Sequence, residues 1–171
     1  MQQFIDSINQ ALMNRNWYVA LFSCLTLPDI CANIEYPNSS SSQRYVNWFN
    51  QYMLSKYTSH IGPDRQEHVF LSGGDCYALR CSYLHEGSSD ISQQRIQQVL
   101  TNFQFIPPIT GMYLHCNQAG SILQLQVDVF CKDVIDAVNS WLNVAMNDSD
   151  KKQKIESLLR IGTSGPVVNF S

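Results

Sequence analysis

Residues 111–146 read GMYLHCNQAGSILQLQVDVFCKDVIDAVNSWLNVAM, and the apolar period changes inside them. Leu123, Leu125, Val127 and Val129 alternate with Gln124, Gln126 and Asp128. A period of two marks a half-buried strand. Beyond it Phe130, Val134, Val138, Trp141 and Ala145 recur at the spacing of one helix face. GMYLHC, set off by NQAG, predicts the partner strand of an antiparallel hairpin over about 111–129, and FQFI (103–106) offers a further edge. Asp128 is placed to cap the helix that follows. A lone hairpin is marginally stable, so this one must lie on helices.

Working outward, the rest of the chain reads mainly as helix. Phe4, Ile5, Ile8 and Leu12 share a helical face within residues 2–15. NWYVALFSCLTLPDICANIE (16–35) is apolar nearly all round and predicts a buried central helix, kinked or restarted at Pro28 with Thr26 as a cap. YPNSSSS is a loop, and Ser42 is placed to cap a helix whose Tyr45, Trp48, Phe49 and Tyr52 form an aromatic stripe. Residues 58–73 are polar, carry Gly62-Pro63, and predict a long loop. SSDISQQRIQQVLTNF and DSDKKQKIESLLRI predict two further helices, and GTSGPVVNFS (162–171) a flexible tail. The expectation is a mainly α helical bundle with one small inserted antiparallel β-hairpin, forming a single domain over 1–161.

Composition bounds the function. Hydrophobic residues make up 44% of the 171, enough for a core, while charged residues make up only 15% against a usual quarter. A surface so poor in charge favours association, which points to an oligomer. A net charge of −3 excludes coating of nucleic acid by bulk electrostatics, so any phosphate contact must be local. The N-terminus lacks the basic and apolar regions of a signal peptide, and no apolar run reads as a membrane span. Both readings predict a cytoplasmic protein with no membrane partner. The six cysteines are then expected to be reduced core residues.

One stretch carries groups suited to chemistry. GGDCYALRCSYLHEG (73–87) reads as a short helix, with Asp75 at the positive end of its dipole and Gly87 as the stop. It sets Arg80 and His85 among Ala, Leu, Tyr and Cys. The preceding SGG lacks the remainder of a Walker or Rossmann phosphate loop. Arginine is permanently charged and forks onto phosphate oxygens; histidine titrates near neutrality and can move protons. Positions five apart lie about 140° apart on a regular helix, so the two converge only at a frayed end or across a dimer seam. The plainer reading pairs Arg80 with a carboxylate, Asp29 of LPDIC being one partner, and leaves His85 on the carbonyls of the helix end.

LRCSYLHEG resembles the motif helix of HEPN (higher eukaryotes and prokaryotes nucleotide-binding) domains: an Arg, four to six residues, a His, and often a Gly. ALFSCLTLPDICANIE, RYVNWF and VFCKDVIDAVNSWL are also similar to segments of uncharacterised bacterial proteins that carry an LRCSLLH-like block. The resemblance implies a dimeric helical bundle and one of two functions. The first is a metal-independent endoribonuclease or toxin, needing no cofactor, with an antitoxin-like protein partner. There Arg80 would hold the scissile phosphate and His85 handle protons, with Ser82 and Tyr77 in supporting places. The second is a noncatalytic dimeric module that binds a nucleotide or a protein. Cys81 stands where HEPN nucleases usually carry a polar or acidic residue, which bears on catalysis more than on fold.

Other constellations are weaker. Cys76, Cys81 and His85 lack the short paired spacing of structural zinc sites, and no metal site is expected. His115 and Cys116, adjacent on a strand, point to opposite faces. A Cys81–His85 nucleophile has no third residue to orient it. His60 and His68 fall in the polar loop.

Overall fold

The computed structural model describes residues 1–161; the expected flexible tail, 162–171, lies outside the described residues. Six helices are formed there: α1 (Gln2–Met13), α2 (Trp17–Glu35), α3 (Ser41–Tyr52), α4 (Gly73–Glu86), α5 (Val127–Ala145) and α6 (Ser149–Glu156). Two small sheets accompany them. Strands β1 (Thr58–Ile61) and β2 (Gln66–Val69) form one. Strands β3 (Asn102–Ile106), β4 (Asn117–Ala119) and β5 (Ile122–Gln126) form the other, in the order β3-β5-β4.

This corrects the expected fold class. The chain is a mixture of α and β, not a mainly α bundle with one inserted hairpin. Three features make the difference. The 58–73 segment is a hairpin, Thr58 opposite Val69 through Ile61 opposite Gln66, turning through Gly62 and Arg65 at positive φ. FQFI is a strand, but it pairs parallel to β5, Phe103 opposite Leu123 and Phe105 opposite Leu125. The antiparallel partner of β5 is β4, which falls inside the stretch read as the turn; the chain reverses at Gly120 and Ser121, with Gly120 at φ +60°. GMYLHC is irregular except for an isolated bridge between Ile109 and Met112. The expected hairpin over 111–129 is therefore shorter and shifted. β5 runs straight into α5 at Val127, and no side chain caps that helix; Asp128 lies in its first turn and accepts a hydrogen bond from Gln126.

Helix α2 is the centre. It packs against α1, α3, α4, α5 and α6. Its Leu25, Cys24, Cys31 and Ala32 are fully buried, and Pro28 is carried inside the helix. Contrary to the sequence reading, α2 is long and apolar enough to cross a membrane, but half of that stretch is buried inside the fold, as a core helix's would be. The aromatic stripe of α3 meets it: Tyr45, Trp48 and Phe49 are fully buried. From α5, Phe130, Val138 and Trp141 close the core. Full burial of one such side chain contributes about 1.5–3 kcal/mol.

Residues 88–101, expected as a helix, form turns instead. Ile91 and Leu100 are buried as anchors, and Ile91 N–H donates to Thr101 O. This segment lies on the start of α4. Ser72 caps α4, and Asp75, 1% exposed, accepts from Gln98 N at 2.7 Å, Val99 N at 3.3 Å and Ser72 Oγ at 2.8 Å. The glycine pair is required by close approach. A Cβ on Gly73 would lie 2.9 Å from Asn50 Oδ1, and one on Gly74 2.8 Å from Ile96 O. SGG thus packs a helix start under backbone, and the anionic place there is already held by Asp75.

A candidate anion-binding cleft on helices α2, α3 and α4

Arg80 sits mid-way along α4, half-buried, facing α2. Its Nε lies 2.5 Å from Asp29 Oδ2, with the side chains 23% and 16% exposed. The two groups form an ion pair across the cleft between α4 and α2. Burial is the largest influence on Asp29 and pushes its carboxyl above the ordinary carboxylate range, against the pull of Arg80 and Arg44. Burial also works against the Arg80 charge, but Asp29, with Cys81 and Tyr77, outweighs it and holds the guanidinium pKa above its ordinary value.

These residues line an open cleft of about 430 Å³. α2 contributes Asp29, Ile30, Asn33 and Ile34. α3 contributes Ser41 and Arg44, α4 contributes Tyr77 and Arg80, and Leu158 after α6 closes one side. The Arg44 Nε is buried without a hydrogen-bond partner among the described residues, and Arg44 forms no ion pair there. Two guanidinium groups thus face one carboxylate. Tyr77 stacks edge-on against buried Tyr45, ring centres 5.3 Å apart, which fixes its ring at the cleft. Burial, then Cys81, raises its hydroxyl pKa, so the phenol stays protonated and able to donate.

The other predicted residues are placed differently. His85 is exposed in the last turn of α4, which Gly87 ends at φ +66°. Its Nε2 lies 3.4 Å from Arg80 Nη1, so the two groups read from the motif do meet, despite the five-residue spacing. The length of the arginine bridges the angular gap. For Arg80 to donate there, the imidazole must be neutral with its proton on Nδ1. Ser82 is buried away from the cleft; its Oγ accepts from Gln94, and its carbonyl from Ser88 N, so it ties α4 to the following turns. Cys76 is buried against Tyr45 and burial pushes its thiol up to about 12, whereas His85 is at the surface. His68 bonds Gln118, joining β2 to β4, and His60 is exposed on β1. Among the described residues no group of three or more His, Cys, Asp or Glu is placed to hold a metal ion.

Arg44 was not anticipated. It precedes the aromatic stripe of α3 as any solvated arginine could. The available signal was scarcity: eleven Lys and Arg in the whole chain make a basic residue beside a buried tyrosine noteworthy.

Comparison with protein-family models, with curated proteins and with solved structures gave no match.

Proposed function

We propose that this protein is a noncatalytic binding module for a small anionic ligand, a nucleoside monophosphate in size and chemistry, held in the Arg44–Arg80 cleft. One observation carries the reading: two guanidinium groups line one open cleft that holds a single paired carboxylate, and the buried Arg44 Nε has no hydrogen-bond partner among the described residues. Buried polar atoms are satisfied in the great majority of cases, and guanidinium groups are the usual forks for phosphate. The cleft lies in the size range of small-molecule sites. Ile30, Ile34, Leu158 and the Tyr77 ring offer an apolar wall for a planar group, and Asn33 and Ser41 offer polar contacts for a sugar. The likeness of α4 to a HEPN motif helix supports a nucleotide over other acids. The six cysteines, all free, suit the reducing cytoplasm.

Calorimetric titration with adenosine 5′-monophosphate in chelator tests this. Binding is expected, with a loss of about tenfold or more for either Arg44→Gln or Arg80→Gln. Unchanged binding in both variants would place the ligand elsewhere.

A second reading, a metal-independent endoribonuclease acting as a homodimer, is favoured by the Arg80–His85 contact on an exposed helix end. Such cleavage needs an acid, a base and a cation on the phosphorane. While Arg80 donates to Nε2, that lone pair cannot take a 2′-OH proton, so the contact must open and a second copy must supply the second histidine. Cleavage of mixed RNA in chelator, abolished by His85→Ala in a folded variant, would establish it.

A further inference from the structure

Resting on the reading of the cleft as an anion site, we propose that Asp29 is a displaceable counter-ion: it holds Arg80 where the ligand's anionic group belongs, and leaves it on binding. The cleft holds two guanidinium groups and one carboxylate: Asp29 Oδ2 pairs with Arg80 Nε at 2.5 Å, while the buried Arg44 Nε has no hydrogen-bond partner among the described residues. The one carboxylate is spent on Arg80, and Arg44 forms no ion pair among the described residues. An oxyanion carries acceptors on several sides and can bond to both guanidinium groups at once.

The same geometry makes Asp29 a rival. Its charge repels an incoming anion and occupies Arg80, so affinity is set by the difference between two anions on one cation. Neutralising Asp29 at constant shape removes the rival and leaves both arginines in place. Burial already disfavours its charge, which lowers the cost of releasing it.

The experiment is titration of wild type, Asp29→Asn and Asp29→Asn/Arg80→Gln with adenosine 5′-monophosphate in chelator, each first checked for native circular dichroism. Asp29→Ser serves if the asparagine variant does not fold. The expected result is affinity about tenfold higher in Asp29→Asn than in wild type, lost again in the double variant. Wild-type binding with equal or weaker binding by Asp29→Asn would overturn the counter-ion role, since Asp29 would then touch the ligand or matter only to the fold; the anion site itself would stand. No binding by wild type and none by Asp29→Asn would overturn the anion site, and this inference with it.

Discussion

His115 shows how one residue can couple stability to pH. Its side chain is 6% exposed, with Nδ1 accepting from Gln126 N at 3.3 Å and Nε2 turned toward Asp133 Oδ2 at 3.7 Å. The imidazole is therefore neutral with its proton on Nε2. Protonation would place a second N–H against the Gln126 amide at the junction of β5 and α5. Asp133 is shared: it accepts from Lys56 at 2.8 Å and from Tyr57 at 3.1 Å, which leaves it a weak partner for an imidazolium. Burial outweighs Asp133 and Asp128 and lowers the His115 pKa below its ordinary 6.5. The unfolded chain thus binds this proton more readily than the folded one. The native state has its full advantage above about pH 6.5 and loses it as pH falls from there through the lower, folded-state value. His115→Asn keeps an acceptor for Gln126 N–H and removes the titration. Its melting temperature is expected to fall less than wild type's between pH 7 and 5, and parallel curves would rule His115 out as the coupled group.

At the scale of elements, the sequence was most readable where caps and periods agree. Asp75 near the start and Gly87 at the end delimited α4 to within a residue, and the stripe of α5 stood out. Strands β1 and β2 were unreadable because their residues are mostly exposed, so no apolar alternation marks them. Residues 88–101 misled for the opposite reason. Ile91 is buried as a single anchor of an irregular segment, and the Gln98 and Val99 amides bond Asp75 across the chain, not a preceding turn. Parallel pairing of β3 with β5 is set by a crossover, with β4 intervening, that no local pattern encodes. That segment and α4 meet at Gly74. Ordinarily Gly→Ala inside a helix gains up to about 1 kcal/mol. Here the added methyl would lie 2.8 Å from Ile96 O, a backbone atom that side-chain rotation cannot move. Gly74→Ala is expected to destabilise the protein by about 1–3 kcal/mol, read as a lower urea midpoint at unchanged slope. A neutral or stabilising result would mean that residues 94–99 pack on α4 more loosely than the structure has them.

Over the whole molecule, the site was half legible. Arg80 and Asp29 were foreseeable as partners because a carboxylate on an apolar helix needs a cation; Arg44, Asn33 and Leu158 reach the cleft only through the packing of α3 and the chain beyond α6 on α2. That packing has an identifiable weak point. α6 buries one residue, Ile155, and is otherwise held by Lys151 Nζ on Glu35 Oε1 at 2.7 Å. Glu35 also accepts from the indole N–H of Trp141 at 2.9 Å, so one carboxylate joins α2, α5 and α6. Beyond α6 the chain is tied back where Gln3 donates to Leu159 O, beside the Leu158 that walls the cleft. Glu35→Ala would strand the Trp141 N–H of a fully buried side chain and release Lys151. A cost of about 2–3 kcal/mol is expected, below that of a fully buried pair because Lys151 and Glu35 are partly exposed. The loss should not be uniform, since a helix with one buried anchor opens before the core does. Hydrogen exchange is therefore expected to accelerate in 149–156 well before α2 or α5, and affinity for adenosine 5′-monophosphate to fall as the Leu158 wall detaches. Acceleration spread evenly over all helices would mean that α6 unfolds only with the core, and that Glu35 supports the whole domain and not this one flap of it.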